Sequence, residues 1–185
     1  MAGRPRGFDR EAALLVAMER FWRNGYDETT VAELTRSMGI TAPSLYAAFG
    51  DKDALFSEAA AYYFDRVATQ MDRALDQPTA HAGISELVRI SAAAYTDHAN
   101  PPGCFLLSEP RLVRERRELS RHIAERIQRG IREGDVAPET DPGAMADFII
   151  AVIEGLSTRA RDGGSTTEVR AIADIALSTF AASAT

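Results

Sequence analysis

Residues 41 to 56, TAPSLYAAFGDKDALF, hold the side chains best suited to chemistry at an anionic surface. Ser44 and Tyr46 carry hydroxyls that can donate to a phosphate oxygen. The Tyr46 ring can also meet a sugar or a thymine methyl. Lys52 is the sole lysine; the other twenty of the twenty-one basic residues are arginines. It stands between Asp51 and Asp53 at the expected start of a helix. There the free N–H groups and the helix dipole already favour an anion, so its ammonium is placed to clamp a phosphate as a point charge. A solvated lysine paired with Asp51 or Asp53 is the competing reading. Thr29, Thr30 and the amides that open a helix just after Thr30 can hold a second phosphate, with Arg36 as a weaker backbone contact.

The elements that must position these groups are helical. Apolar residues recur at three- and four-residue steps and no sustained strand alternation is present. A first helix is expected over 9–24, with Ala13, Leu14, Ala17, Met18 and Phe21 on one stripe and Gly25 ending it. Thr30 and Glu33 form a capping box for a second helix that stops at Gly39. Thr41 caps a third through about Phe49, with Pro43 in its first turn. Asp51 caps a long fourth helix, roughly 52–76. The stretch QPTAHAG reads as a linker before a fifth helix at about 84–98. A short segment at 104–110 precedes an arginine-rich helix at 111–133. Two last helices, about 142–162 and 166–182, flank DGG. The fold class is therefore all-α, with about nine helices.

Composition bounds the function. The 45% apolar and 26% charged content is that of a globular protein. No apolar run suffices to span a bilayer, and the N-terminus lacks the apolar region of a secretory signal. The single cysteine, Cys104, suits a reducing cytoplasm and excludes an internal disulfide framework. The net charge of −6 is uneven. Residues 1–52 hold seven basic and seven acidic residues, so the whole surplus falls on 53–185. A neutral head on an acidic body is compatible with a local nucleic-acid contact.

Two short helices joined by a glycine turn and preceded by a third have helix-turn-helix spacing. Spacing alone fits an ordinary helical hairpin equally well. The third helix separates the readings. Its outward positions, Ala42, Pro43, Ser44, Tyr46, Ala47 and Ala48, make a poor solvated face and a good face for close approach to another backbone. In a groove-reading unit this helix enters the major groove of DNA. It offers no Arg, Asn or Gln for a bidentate base contact. Specificity is then expected from thymine methyls, from DNA shape and from the arm GRPRGF, whose Arg4 and Arg6 can enter a minor groove. A disordered terminus is the competing reading of that arm.

The stretch FWRNGYDETTVAELTRSMGITAPSLYAAFGDKDALF resembles the TetR family of transcriptional regulators. The resemblance rests on Phe21, Gly25-Tyr26, Thr29-Thr30-Val31, Gly39-Ile40, Leu45-Tyr46, Phe49 and Lys52-x-x-Leu55, and covers about residues 9–56. It implies a DNA-binding head at 1–52, with Thr41, Ala42, Pro43, Ser44, Tyr46 and Ala47 on the groove side, Tyr46 as the recognition-helix tyrosine and Lys52 as the phosphate lysine. Ala48 stands where many relatives carry a histidine or another polar residue, which removes histidine-type contacts. Repression, and release from a palindromic operator by a small-molecule effector, are implied by the resemblance alone.

Residues 53–185 are then expected to form an effector-binding and dimerisation domain. Tyr63, Phe64, Val67, Met71, Leu87, Val88, Tyr95, Phe105, Ile123 and Ile127 are candidates to line an apolar pocket, each with core packing as the plain alternative. Phe148, Ile149, Val152, Ile153 and Leu156, with Val169, Ile172, Ile175, Ala176 and Phe180, make helices apolar on more than one side. Such helices suit a four-helix bundle across a two-fold axis, and the resemblance implies the same dimer. Cys104, His98, Glu109 and His122 fit no metal motif. The arginines from Arg111 to Arg132, interleaved with Glu115, Glu118 and Glu125, read as a solvated helix. No catalytic motif, cofactor or metal site is expected. The partners expected are a double-stranded DNA operator, a second copy and an unidentified effector, in the cytoplasm and away from membranes. A regulator answering to a protein partner, and a helical enzyme or scaffold with a structural helix-turn-helix, are the alternatives.

Overall fold

The computed structural model describes the backbone of residues 8–182 and side chains through Ser178. Arg4 and Arg6 lie outside the described residues, as does the side chain of Phe180. Within that span the chain is all-α, as expected: α1 (Arg10–Asn24), α2 (Val31–Met38), α3 (Ala42–Phe49), α4 (Lys52–Leu75), α5 (Ala80–Tyr95), α6 (Phe105–Ser108), α7 (Val113–Glu133), α8 (Pro142–Arg161) and α9 (Thr166–Ala182), with a 3-10 turn at Pro110–Leu112. Packing divides the chain into two compact units, one ending at Tyr63 and the other beginning at Phe64.

In the first unit each short helix is closed by a side chain. The Asp9 carboxylate accepts from the amides of Glu11 and Ala12. Thr30 and Glu33 form the capping box of α2, and the Thr41 hydroxyl accepts from the Ser44 amide to start α3. The core is Phe21, Leu34, Leu45 and Leu55, all without exposed surface, with Phe49 and Phe56 nearly so. The Phe56 ring stands edge-on to Phe21 at 5.2 Å and to Tyr26 at 5.0 Å. Val31 and Ile40 are half-buried.

In the second unit α8 packs against α5, α6, α7 and α9, and α5 also packs on α9 and α7. The start of α5 corrects the sequence expectation by four residues. Thr79 accepts from the Ala82 amide as an N-cap, so the helix begins at Ala80. Gly83 therefore sits inside the helix rather than in a linker. A Cβ there would lie 3.1 Å from the Leu75 Cα and carbonyl oxygen, so glycine permits the close approach of α5 to the end of α4. The arginine-rich α7 also departs from the solvated reading. Arg121 does pair with Glu118 and Glu125 at the surface. Arg126, however, is buried and donates Nε to the Leu75 carbonyl (3.0 Å) and Nη2 to the Gln77 carbonyl (3.2 Å), closing the end of α4. Arg116 donates to the carbonyls of Leu106 and Glu109.

Gly103 joins α5 to α6 at φ +79°, and a Cβ there would fall 2.9 Å from the Ser157 carbonyl oxygen and 2.7 Å from Arg161 Cγ. Gly163 has a similar φ of +87° but open space around it. Gly103→Ala is expected to cost roughly 2–4 kcal/mol and Gly163→Ala only about 1 kcal/mol, since both meet left-handed strain but one also meets a backbone clash. Urea unfolding of the two variants beside the parent measures the difference.

Candidate nucleic-acid interface

The candidate interface is built on α3, a helix of eight residues. Leu45 and Phe49 point inward, and Pro43, Tyr46 and Ala47 are exposed, Tyr46 by 49%. Ala42, Ser44 and Ala48 are half-buried at the flanks. The Thr41 and Ser44 hydroxyls lie 2.9 Å apart and bond to each other. The outward face is thus a phenol set among methyl groups and a proline ring, with its two aliphatic hydroxyls at the N-terminal end.

A clasp holds the other end of α3. Arg10 makes a bidentate pair with Glu58 at 2.6 and 2.7 Å, donates Nε to the Ala48 carbonyl at 3.3 Å, and lies over the Phe49 ring at 4.5 Å. The hydrogen bond to Glu58 raises the Arg10 pKa further. One guanidinium thereby connects the first turn of α1, the last turn of α3 and the second turn of α4.

Lys52 opens α4 without an ion pair among the described residues, because both flanking aspartates have other partners. Asp51 accepts from the Ala54 amide at 2.7 Å as the cap of α4. Asp53 accepts from the Tyr26 hydroxyl at 2.5 Å. The Lys52 ammonium instead rests over the Tyr26 ring, 4.0 Å from its centroid. That ring is stacked on Phe21 at 6.1 Å. Tyr26 is the functional neighbour that sequence reasoning missed; its only signal was the Gly25-Tyr26 pair.

The structure corrects one member of the predicted set. Thr29 has no exposed surface and its hydroxyl donates to the Gly25 carbonyl at 2.7 Å, so its side chain cannot meet a phosphate. Thr30 is exposed, but its amide and hydroxyl are bonded to Glu33, whose carboxyl these contacts hold below the usual range. The N-terminus of α2 therefore carries an anion of its own. Arg36 is exposed and free of ion pairs among the described residues.

In the body, Met71, Leu87, Val88, Tyr95, Phe105, Ile123 and Ile127 are buried, and Phe64 and Val67 half-buried. Tyr63 belongs to the first unit, edge-on to Trp22 at 4.9 Å. The Tyr95 hydroxyl bonds to Ser91 and Cys104, and burial raises its pKa. Cys104 is buried, with its amide donating to the Ser157 hydroxyl. His98 is exposed and His122 bonds to Asp72, and no group of His, Cys, Asp and Glu among the described residues is arranged for a metal. An open basin of about 670 Å³ lies between the end of α4 and α7.

Of the residues expected at a dimer interface, Ile149, Ile153, Leu156 and Val169 are buried within the chain and form its own core. Phe148, Ile172 and Ile175 are exposed, Ile175 by 68%, with Val152 and Ala176 half-buried beside them. On α8 the exposed positions Ala144, Phe148, Ala151 and Gly155 follow one face.

Two family models match the chain: bacterial regulatory proteins of the tetR family over residues 13–59, and the tetracyclin repressor-like C-terminal domain over 109–175. Among characterised proteins, it is similar to the HTH-type transcriptional repressors ComR and BdcR of Escherichia coli. ComR is 31% identical, with 95% of this chain and 90% of the relative aligned; BdcR is 32% identical, with 94% and 90% aligned. Among solved structures it resembles a cysteine mutant of the TetR family transcriptional regulator CifR complexed with a 26 bp double-strand operator DNA. That match has a TM-score of 0.91 and 39% identity over 95% of this chain and 98% of the other.

A lone lysine gives one set of lysine side-chain resonances. The ring current of Tyr26 is expected to shift the Lys52 ε-methylene protons upfield. Tyr26→Leu should abolish that shift and Tyr26→Phe should retain it, as read by carbon-proton correlation spectra of lysine-labelled protein.

Proposed function

The chain belongs to the TetR family of bacterial regulatory proteins, and on that premise we propose that it is a sequence-specific DNA-binding transcriptional repressor. The observation that carries the reading is the outward face of α3, where Tyr46 stands exposed among Pro43 and Ala47 on a helix otherwise anchored inward. A phenol among small groups is poorly matched to water and well matched to a major groove, into which the helix backbone can sink.

In this reading Tyr46 meets a phosphate with its hydroxyl and a thymine methyl or sugar with its ring. Ser44 and Thr41 donate at the N-terminal end of α3, and Ala42, Pro43 and Ala47 allow the approach. Lys52 leaves or keeps its place on the Tyr26 ring to neutralise a backbone phosphate, with Arg36 beside α2. Without a bidentate base contact, discrimination rests on methyl contacts and DNA shape, to which Arg4 and Arg6 add in the minor groove.

The exposed apolar face of α8 and α9 seats a second copy, so two heads read a palindrome. Phe148, Ile172 and Ile175 supply its centre, with Val152 and Ala176 beside them. Among the described residues no helix is long and apolar enough to cross a membrane. The regulator, not an enzyme, works in the cytoplasm. An effector bound in the body releases the operator, acting through α4, which carries Lys52 in its first turn and Met71 near its last.

Selection from a random duplex pool tests the reading. The parent is expected to enrich a palindrome and Tyr46→Ala to enrich none. On the selected site, Lys52→Ala should lower the slope of log affinity against log salt by about 2, one phosphate for each half-site. Absence of enrichment at low salt overturns the proposal.

A further inference from the structure

We propose that the basin between α4 and α7 is a binding site for a small oxyanion, a carboxylate or a phosphate group, held by Arg126 and Arg129 and flanked by Arg73 and Arg132. The site stands on the geometry of the body alone. Only its consequence at DNA rests on the regulator reading above.

The decisive feature is donor capacity left unused. Arg126 has a side chain only 3% exposed, fixed by the two carbonyls that its Nε and Nη2 reach. Its third nitrogen, Nη1, is buried and has no hydrogen-bond acceptor, and neither has the Nε of Arg129. Buried guanidinium N–H groups without acceptors are costly, and a ligand oxygen offsets that cost. The Glu133 carboxylate lies 3.8 Å from Arg126 Nη1 and 3.7 Å from Arg129 Nε. At those distances it supplies charge but no hydrogen bond. It is half-exposed, so a carboxylate or phosphate that reaches both nitrogens can displace it.

The charges around the basin favour the same class of ligand. Two of the three lining carboxylates are engaged: Asp72 with His122 at 3.1 Å and Glu125 with Arg121. Asp76 is the third. Arg73 and Arg132 line the basin and make no ion pair among the described residues. Asp135 lies beside Arg126 Nη2 at 3.7 Å and accepts from the Ala80 amide. A volume of about 670 Å³ is ample for a small organic acid or phosphate ester. The guanidinium fork matches both oxyanions, and Arg126 is already immobilised, so little ordering remains for binding to impose.

Calorimetric titration of the full chain in low-chloride buffer tests the site, with succinate and inorganic phosphate as separate probes. One site per chain is expected for at least one probe, and the probe that binds identifies the source of the oxyanion. Arg129→Gln should weaken it at least tenfold, and the double variant Arg73→Gln with Arg132→Gln should also weaken it. Asp76→Asn should strengthen it, an effect that a merely structural polar layer does not produce. All four positions are partly or fully exposed, so the variants fold. Arg126 itself is left intact because it closes α4. Failure of both probes to saturate, or equal affinity across the variants, overturns the proposal. Adding the binding probe to the operator complex then separates the two readings. Release makes the oxyanion the effector; binding without release keeps the site and removes that role. Absence of any operator complex counts against the regulator alone.

Discussion

A helix of eight residues has almost no stability of its own in water, because nucleation fixes several residues before propagation returns hydrogen bonds. Both α2 and α3 are this short. Their geometry is therefore borrowed from outside: hydroxyl caps at Thr30 and Thr41, inward anchors at Leu34, Leu45 and Phe49, and the Arg10 clasp at the end of α3. The presenting face of α3 can be chemically sparse because none of its outward residues is needed to hold it. Apart from the Thr41 cap, the side chains that fix the helix lie on its inward side.

Arginine has two opposite uses in this chain. At Arg121 it is a surface cation between Glu118 and Glu125, where an exposed pair contributes little. At Arg126 and Arg116 it is a structural donor to carbonyl groups that a helix end or a short turn leaves open. The same residue type on one helix thus serves water on one face and the protein backbone on the other. The exposed Phe148, Ile172 and Ile175 are a separate departure from a well-solvated surface. Their exposure on α8 and α9 is what supports the proposed contact with a second copy.

The features legible in the sequence are those set by neighbours within one turn. Thr30, Thr41 and Asp51 cap as their positions suggested, and the apolar stripe of α1 buries as its spacing required. What was not legible depends on partners far along the chain. Gly83 looked like a breaker because its role is to admit Leu75. Thr29 looked available because only the folded turn turns its hydroxyl onto Gly25. Arg126 looked solvated because its acceptors, Leu75 and Gln77, lie about fifty positions away. Tyr26 could not be matched to Lys52 by spacing, since the pair meets only after α1 and α4 come together.

The clasp has a kinetic meaning. Arg10 and Glu58 are 48 positions apart, and between them lies everything from α1 to the start of α4. The α1–α2 and α2–α3 contacts that it brackets are local, whereas the clasp closes a longer loop and so belongs to a later stage of assembly. Interactions absent from an early transition state leave the folding rate nearly untouched and raise the barrier to unfolding. The salt bridge therefore governs how long α3 stays in place once formed, rather than how quickly it forms.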